Sequence, residues 1–178
     1  YRAGTPCAGT AKGFCDGYSC DFNTGTCACP KDRLWRDCSL KARELTPGKP
    51  ASSYSLDAGG SDYYHVVVDA AMLRAEKNLV VTLVTARDAE SRPQLRAVFE
   101  DIPFPGAESK FSDHDLAATF YGDATHEILL DAEELAAAGP GSWYFGVVAD
   151  GEGALAYSVS AEASAHLACP TARASKLP

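Results

Sequence analysis

The chain has 178 residues, of which 46% are hydrophobic and 22% are charged, and this composition excludes an intrinsically disordered protein. The formal net charge of −8 leaves no dense basic face, so we expect no nucleic-acid partner. The longest apolar stretch, residues 79–86, is far shorter than the roughly 20 residues that cross a bilayer, so we expect no membrane insertion in this segment.

Charge is divided unevenly along the chain. Residues 1–50 contain eight Lys and Arg against five Asp and Glu, a net charge of +3, and the remainder contains eight against nineteen, a net charge of −11. Solubility is one interpretation of the acidic excess, and an oriented contact between neighbouring copies is another. For such a contact the basic candidates are Lys31, Arg33, Arg36, Lys41 and Arg43, and the acidic candidates are Asp113, Asp115, Glu133 and Glu134.

The first part of the chain is rich in cysteine. Six cysteines fall between Cys7 and Cys38, with gaps of 7, 4, 6, 1 and 8 residues. Zinc sites favour C-x2-C pairs, but this segment has none, and no histidine occurs before His65. A segment with so few aliphatic residues needs cross-links, so we predict disulfides and an oxidising, extracellular location.

This cysteine spacing resembles that of an EGF-like module over residues 7–38, although spacing alone leaves fifteen connectivities open. The family usually has glycine three residues before the last cysteine, where this chain has Trp35. Trp35, flanked by Arg33 and Arg36, is either a contact residue or folds back onto the next domain. The resemblance implies the pairs Cys7–Cys20, Cys15–Cys27 and Cys29–Cys38.

Four segments follow from composition. We predict a disulfide module at 1–44, a linker rich in Pro, Gly and Ser at 45–53, a β domain at 54–168, and the start of a further module or a tail at 169–178. The Ser and Pro residues of the linker allow O-linked sugar, whereas no N-x-S/T site occurs.

The β domain is predicted from short runs with a two-residue apolar period. A Gly-bearing turn in "ADGEGA" predicts a hairpin between the last two runs, and 132–139 is predicted as one short helix. These elements indicate an all-β protein with an antiparallel β-sandwich. The predicted strands are 62–69, 78–85, 94–100, 125–131, 142–149 and 154–162.

The strand order resembles the pre-peptidase C-terminal jelly-roll domains. This resemblance implies a jelly-roll-like accessory or binding module without catalytic activity. In a binding module, exposed aromatic residues such as Tyr63 and Trp35 would contact a glycan or a protein. The residues that carry the resemblance are Tyr64, Val66, Leu79, Val81, Leu83, Gly141, Trp143, Tyr144, Val147, Tyr157 and Val159.

The sequence contains no recognisable catalytic motif. No G-x-S-x-G elbow, phosphate loop or HExxH helix occurs, so we expect no enzymatic activity, no cofactor and no metal centre. His65 and His126 lie within predicted strands as packing or surface residues. "FSDHD" places Asp113 and Asp115 close together, and their oxygens are weak candidates for Ca²⁺ against the alternative of a solvated acidic loop.

Cys169 has no evident partner, because the other six cysteines can form three disulfides among themselves. We predict that it begins another EGF-like module in a longer, repeating protein, with an intermolecular disulfide or a free thiol as alternatives. The first hypothesis for function is therefore a structural or adhesive repeat of a surface or filament protein whose copies contact one another. The alternative is a secreted module that binds a glycan or a protein.

Overall fold

The computed structural model describes residues 15, 18–21, 26–34, 38–86, 92–100, 116–121 and 124–165. These residues form thirteen strands and two short helices. The head contributes β1 (Cys20–Asp21), β2 (Thr26–Cys27), β3 (Arg33–Leu34) and β4 (Leu40–Glu44). The rest are β5 (Ser52–Leu56), β6 (Ser61–Val68), α1 (Ala70–Arg74), β7 (Asn78–Thr85), β8 (Arg92–Phe99), β9 (Leu116–Ala117), β10 (Thr119–Tyr121), β11 (Thr125–Leu130), α2 (Ala132–Ala138), β12 (Gly141–Asp150) and β13 (Leu155–Ser164).

Two sheets pack face to face as a sandwich, and the fold is all-β as predicted. One sheet has the strand order β10-β11-β7-β13-β5, and the other has the order β3-β4-β6-β12-β8-β9. Neighbouring strands are antiparallel except β4 and β6, which are parallel. A separate two-stranded ladder of β1 and β2 lies in the head.

The core follows from the two-residue alternation of the long strands. The inward apolar residues of β6 and β12 are at most 5% exposed, as are those of β7 and β13, so side chains from both sheets meet in one cluster. The inward side chains of these four strands are Tyr64, Val66 and Val68, then Trp143, Phe145 and Val147, then Leu79, Val81 and Leu83, then Leu155, Tyr157 and Val159.

Each helix begins at an aspartate. The Asp131 carboxylate accepts a hydrogen bond from the Glu134 amide at 2.7 Å, and the Asp69 carboxylate accepts one from the Met72 amide at 2.8 Å. Such caps satisfy amides that the first helical turn leaves without partners. Gly139 ends α2 with a φ of 85°, a conformation that glycine adopts without strain.

The predicted hairpin at "ADGEGA" is wrong. β12 pairs with β6 and β8, whereas β13 pairs with β5 and β7, so the two strands lie in different sheets. Each strand carries a continuous apolar face, and both faces contribute side chains to the same core cluster from their own sheets. The turn at 151–154 therefore passes the chain from one sheet to the other.

The head and the β domain share a sheet. Residues of the predicted module 1–44 supply β3 and β4 to the six-stranded sheet. The predicted linker 45–53 contains Leu45, which is 8% exposed in the core, and the first residues of β5. Sheet pairing, and not a free spacer, thus joins the two parts, while independent folding of the head stays a prediction.

Candidate functional site: the junction of head and sandwich

The junction is built by β4, which follows the last cysteine of the head. In the parallel ladder Ala42 lies beside Tyr63 and Arg43 lies beside Tyr64. The Leu45 amide then donates to the His65 carbonyl oxygen at 2.8 Å. Because side chains alternate along a strand, Ala42 and Arg43 point to opposite faces of the sheet. The junction therefore has an outer and an inner half.

The inner half is a ring of polar side chains that connects the two sheets. The Tyr157 hydroxyl donates to the Asp62 carboxylate at 2.7 Å, and the hydroxyls of Tyr157 and Tyr64 are 2.6 Å apart. Tyr157 has a single hydroxyl proton, and it is used in the hydrogen bond to Asp62. In the bond between the two hydroxyls, Tyr64 is therefore the donor and Tyr157 the acceptor. Burial is the main cause that raises the pKa of both tyrosines, so both remain neutral donors.

Arg43 from the head closes this ring. One guanidinium nitrogen is 2.8 Å from the Asp62 carboxylate and 3.4 Å from the Tyr64 hydroxyl. The guanidinium carbon also lies 4.6 Å from the centre of the Tyr54 ring. Burial lowers the pKa of Arg43, but the hydrogen bond and charge of Asp62 outweigh it, and the pKa is raised. Arg43 thus makes an ion pair within its own chain, while its predicted role as a basic contact between copies stays a prediction.

The outer half is a small apolar cluster. Ala42 and Tyr63 are 1% and 3% exposed and pack with Tyr144, and Leu40 packs against them. The Tyr144 hydroxyl donates to the Lys31 carbonyl oxygen at 3.4 Å, so the head lies over this face of the sheet. The prediction that Tyr63 is an exposed contact residue is wrong, because the head covers it.

His65 lies at the edge of the outer cluster. It is 4% exposed, and its ring stacks on Tyr144 at 5.9 Å between centres. Burial lowers its pKa, an effect that the charges of Glu44 and Asp32 oppose and that of Lys31 reinforces. Among the described residues, Nδ1 of His65 has no hydrogen-bond partner. The imidazole is therefore held neutral, as a packing residue.

The cross-links of the head lie next to this junction. Cys15 is bonded to Cys27 and Cys29 to Cys38, which are pairs that the EGF-like resemblance implies. Cys20 is also disulfide-bonded. Disulfides persist in oxidising compartments, so they indicate an extracellular setting for the chain.

The remaining predicted site residues divide into two groups. Arg33 lies in β3, partly exposed and directly opposite Lys41. The others lie outside the described residues; they are Cys7, Trp35, Arg36, Asp113, Asp115 and Cys169.

A second feature is an open cleft of about 510 Å³ at one end of the sandwich. Its lining includes the apolar residues Val67 and Met72 and the charged residues Lys77 and Glu162. Within the residues described, no group of three or more His, Cys, Asp or Glu side chains could hold a metal ion. In the same residues, no helix is both long enough and apolar enough to span a membrane.

Sequence reasoning missed the junction. The signal was present in "LKARE", where Leu40 and Ala42 alternate with charged residues as in a half-buried strand. The Arg43–Asp62 pair has no such local signal, because its two residues belong to different strands.

No protein-family model and no curated protein sequence matches the chain. Among solved structures, the pre-peptidase C-terminal domain of the collagenase from Bacillus anthracis aligns with 69% of this chain and 96% of its own, at 15% identity and a TM-score of 0.45. CorA, a surface-associated copper-binding protein of Methylomicrobium album BG8, aligns with 69% of this chain and 98% of its own, at 10% identity and a TM-score of 0.34. The first is of the class that the strand order resembles. Neither likeness carries an argument about what this chain binds.

Proposed function

We propose that the chain is a non-catalytic structural unit of an extracellular protein, and that copies of it associate head to tail as repeats of a surface or filament assembly. The observation that carries this proposal is the junction. A basic head is tied to an acidic sandwich through the β4–β6 ladder and the Arg43–Asp62 ion pair. A head fixed in this way presents its charges in one direction relative to the sandwich.

The distribution of charge supports an oriented contact. Residues 1–50 carry +3 and the remaining residues carry −11. Lys31 is exposed in the turn before β3, and Glu133 is exposed in the first turn of α2. A contact between a head and a different surface of the next copy is heterologous, so it need not close and can extend a fibre.

Electrostatics orients such a contact and does not provide its full strength. An exposed ion pair contributes at most about 1 kcal/mol, and salt of about 0.1 M screens charges beyond roughly 10 Å. Apolar contacts or covalent linkage between repeats would supply the rest of the free energy of association.

Sedimentation velocity over a concentration series at low salt tests the proposal. We expect the wild-type protein to self-associate, and we expect Lys31→Glu to weaken the association by up to about fivefold, the equivalent of one exposed ion pair. Adding Glu133→Lys to Lys31→Glu restores association if these two residues meet between copies. Arg74→Glu is the matched control, because it makes the same change in net charge at an exposed residue of the sandwich.

A wild-type protein that stays monomeric at high concentration and low salt would overturn the proposal. That result favours the alternative function, an accessory module that binds a glycan or a protein. The cleft beside Val67 and Met72 is the feature that supports this alternative, because its lining combines apolar residues with the charged residues Lys77 and Glu162.

A further inference from the structure

The two sheets of the sandwich have different numbers of strands. β5 is the last strand of the five-stranded sheet and pairs only with β13 among the described strands. Tyr54 of β5 lies 5.5 Å from Tyr64 of β6 and 4.6 Å from the Arg43 guanidinium of β4, measured to ring centres. β5 therefore faces β6 and the near side of β4. In the described part of the chain, no strand of the five-stranded sheet faces β3.

No described strand pairs with the outer edge of β5, and this edge lacks the usual protection against strand pairing. Sheet edges are generally blocked by charged residues, prolines or bulges. β5 has the sequence SSYSL, without charge or proline, and Ser52, Ser53 and Ser55 are exposed. Backbone donors and acceptors along this edge can therefore pair with a further strand.

The surface beside this edge is basic. Arg43 points between the sheets, so Lys41, two residues earlier in β4, points to the same side. Lys41 is exposed, and within the described residues it has no ion-pair partner. Arg33 lies directly opposite Lys41 in the ladder, so its side chain projects to the same face. Three basic residues and one acidic residue, Asp62, thus line the position that a sixth strand would occupy.

We propose that the edge of β5 accepts an extended segment of a partner protein, which adds a sixth strand to the five-stranded sheet and carries carboxylates at alternate positions. Main-chain hydrogen bonds to β5 supply affinity in this mode of recognition, and alternate side chains supply specificity. The carboxylates on the inward side would face Lys41. This inference does not depend on the self-association proposed above, which concerns Lys31 and the acidic sandwich.

Hydrogen exchange with synthetic peptides tests the inference. The probe is a peptide of about ten alternating Thr and Glu residues, the upper end of ordinary strand lengths, and the comparison peptide has Lys in place of Glu. We expect the Glu peptide to slow exchange at the free-edge amides of residues 52–56 by about tenfold at saturation. The Lys peptide should leave these amides unchanged, and so should a Glu peptide with a central proline.

A charge reversal separates this site from general attraction. Lys41→Glu should abolish protection by the Glu peptide and permit protection by the Lys peptide. Arg74→Glu, at an exposed residue of the sandwich and with the same change in net charge, should bind the Glu peptide as the wild type does. Equal protection by both peptides, protection away from β5, or an unaltered preference in Lys41→Glu would overturn the inference. Protection of β5 that rises with protein concentration alone would also overturn it, because a second copy would then be the occupant.

Discussion

The hydrogen bonds of the polar ring run in one direction. The ring consists of Arg43, Asp62, Tyr64 and Tyr157. Each hydroxyl donates once, so the bonds run from Tyr64 to Tyr157 and from Tyr157 to the Asp62 carboxylate. Arg43 then donates to both ends of this chain, to Asp62 and to Tyr64. Removing one member leaves two neighbours short of a partner, and unsatisfied polar groups in a partly buried site are costly.

Tyr157→Phe tests this ring. The substitution removes the donor to Asp62 and the acceptor for Tyr64, so we expect the free energy of unfolding to fall by about 1–3 kcal/mol. Urea denaturation should show a lower midpoint with an unchanged slope. Tyr54→Phe is the control, because no hydrogen bond joins the Tyr54 hydroxyl to another described residue, and its effect should be smaller. Equal losses in the two variants would show that the ring does not act as a unit.

His65 makes stability depend on pH. Its pKa is lowered from 6.5 by burial, so below pH 6.5 the unfolded chain binds a proton that the folded protein does not. The stability that His65 contributes is complete above pH 6.5 and is lost as the pH falls toward its folded pKa. One such group gives a slope of up to about 1.4 kcal/mol per pH unit.

The measurement is the free energy of unfolding across this pH range for wild type, His65→Gln and His126→Gln. Burial also lowers the pKa of His126, so each variant should remove part of the slope. A wild-type stability that is flat or rises as the pH falls below 6.5 would contradict the expected neutral imidazoles.

At the scale of elements, the strands with strong alternation were predictable. The run at 78–85 coincides with β7, and the run at 62–69 differs from β6 by one residue at each end. The short helix at 132–139 was predictable for a different reason, because Asp131 caps it and Gly139 ends it. In all three cases the signal is contained in the local sequence.

Elements with a distant partner or a polar face were not predictable. β5 has exposed serines at three of its five positions, a composition that is typical of a linker, so the sequence did not predict a strand there. β4 is a strand because β6, some twenty residues later, pairs with it in parallel. α1 has no buried residue, so it lacks the apolar period that predicts a helix. The two-residue period also did not predict that the outer side chains of β6 are buried. Tyr63 and His65 are buried there because the head packs over them.

For the whole molecule, the question is how far the disulfides of the head support the sandwich. Cys38 is fully buried, and β4 begins two residues later. The main core cluster contains no cysteine and includes Trp143, whereas the small cluster at the junction depends on Ala42 of β4. The bridge from Cys29 to Cys38 spans nine residues, and a loop of this size stabilises by about 2–3 kcal/mol.

Reduction should therefore release β4 and leave the main core folded. We expect faster hydrogen exchange at residues 40–44, and at the Leu45 amide, which donates to His65. The near-UV signal of Trp143 should survive reduction.

Replacing Cys29 and Cys38 by Ser should reproduce the release of β4, because this bridge closes the loop that precedes the strand. Replacing Cys15 and Cys27 should not, because their bridge lies earlier in the head. If β4 stays protected in the reduced protein, the parallel ladder and Arg43 keep β4 paired with β6 without the disulfides. If the Trp143 signal disappears together with β4 protection, the sandwich cannot fold without the head, and residues 1–44 are part of a single cooperative unit.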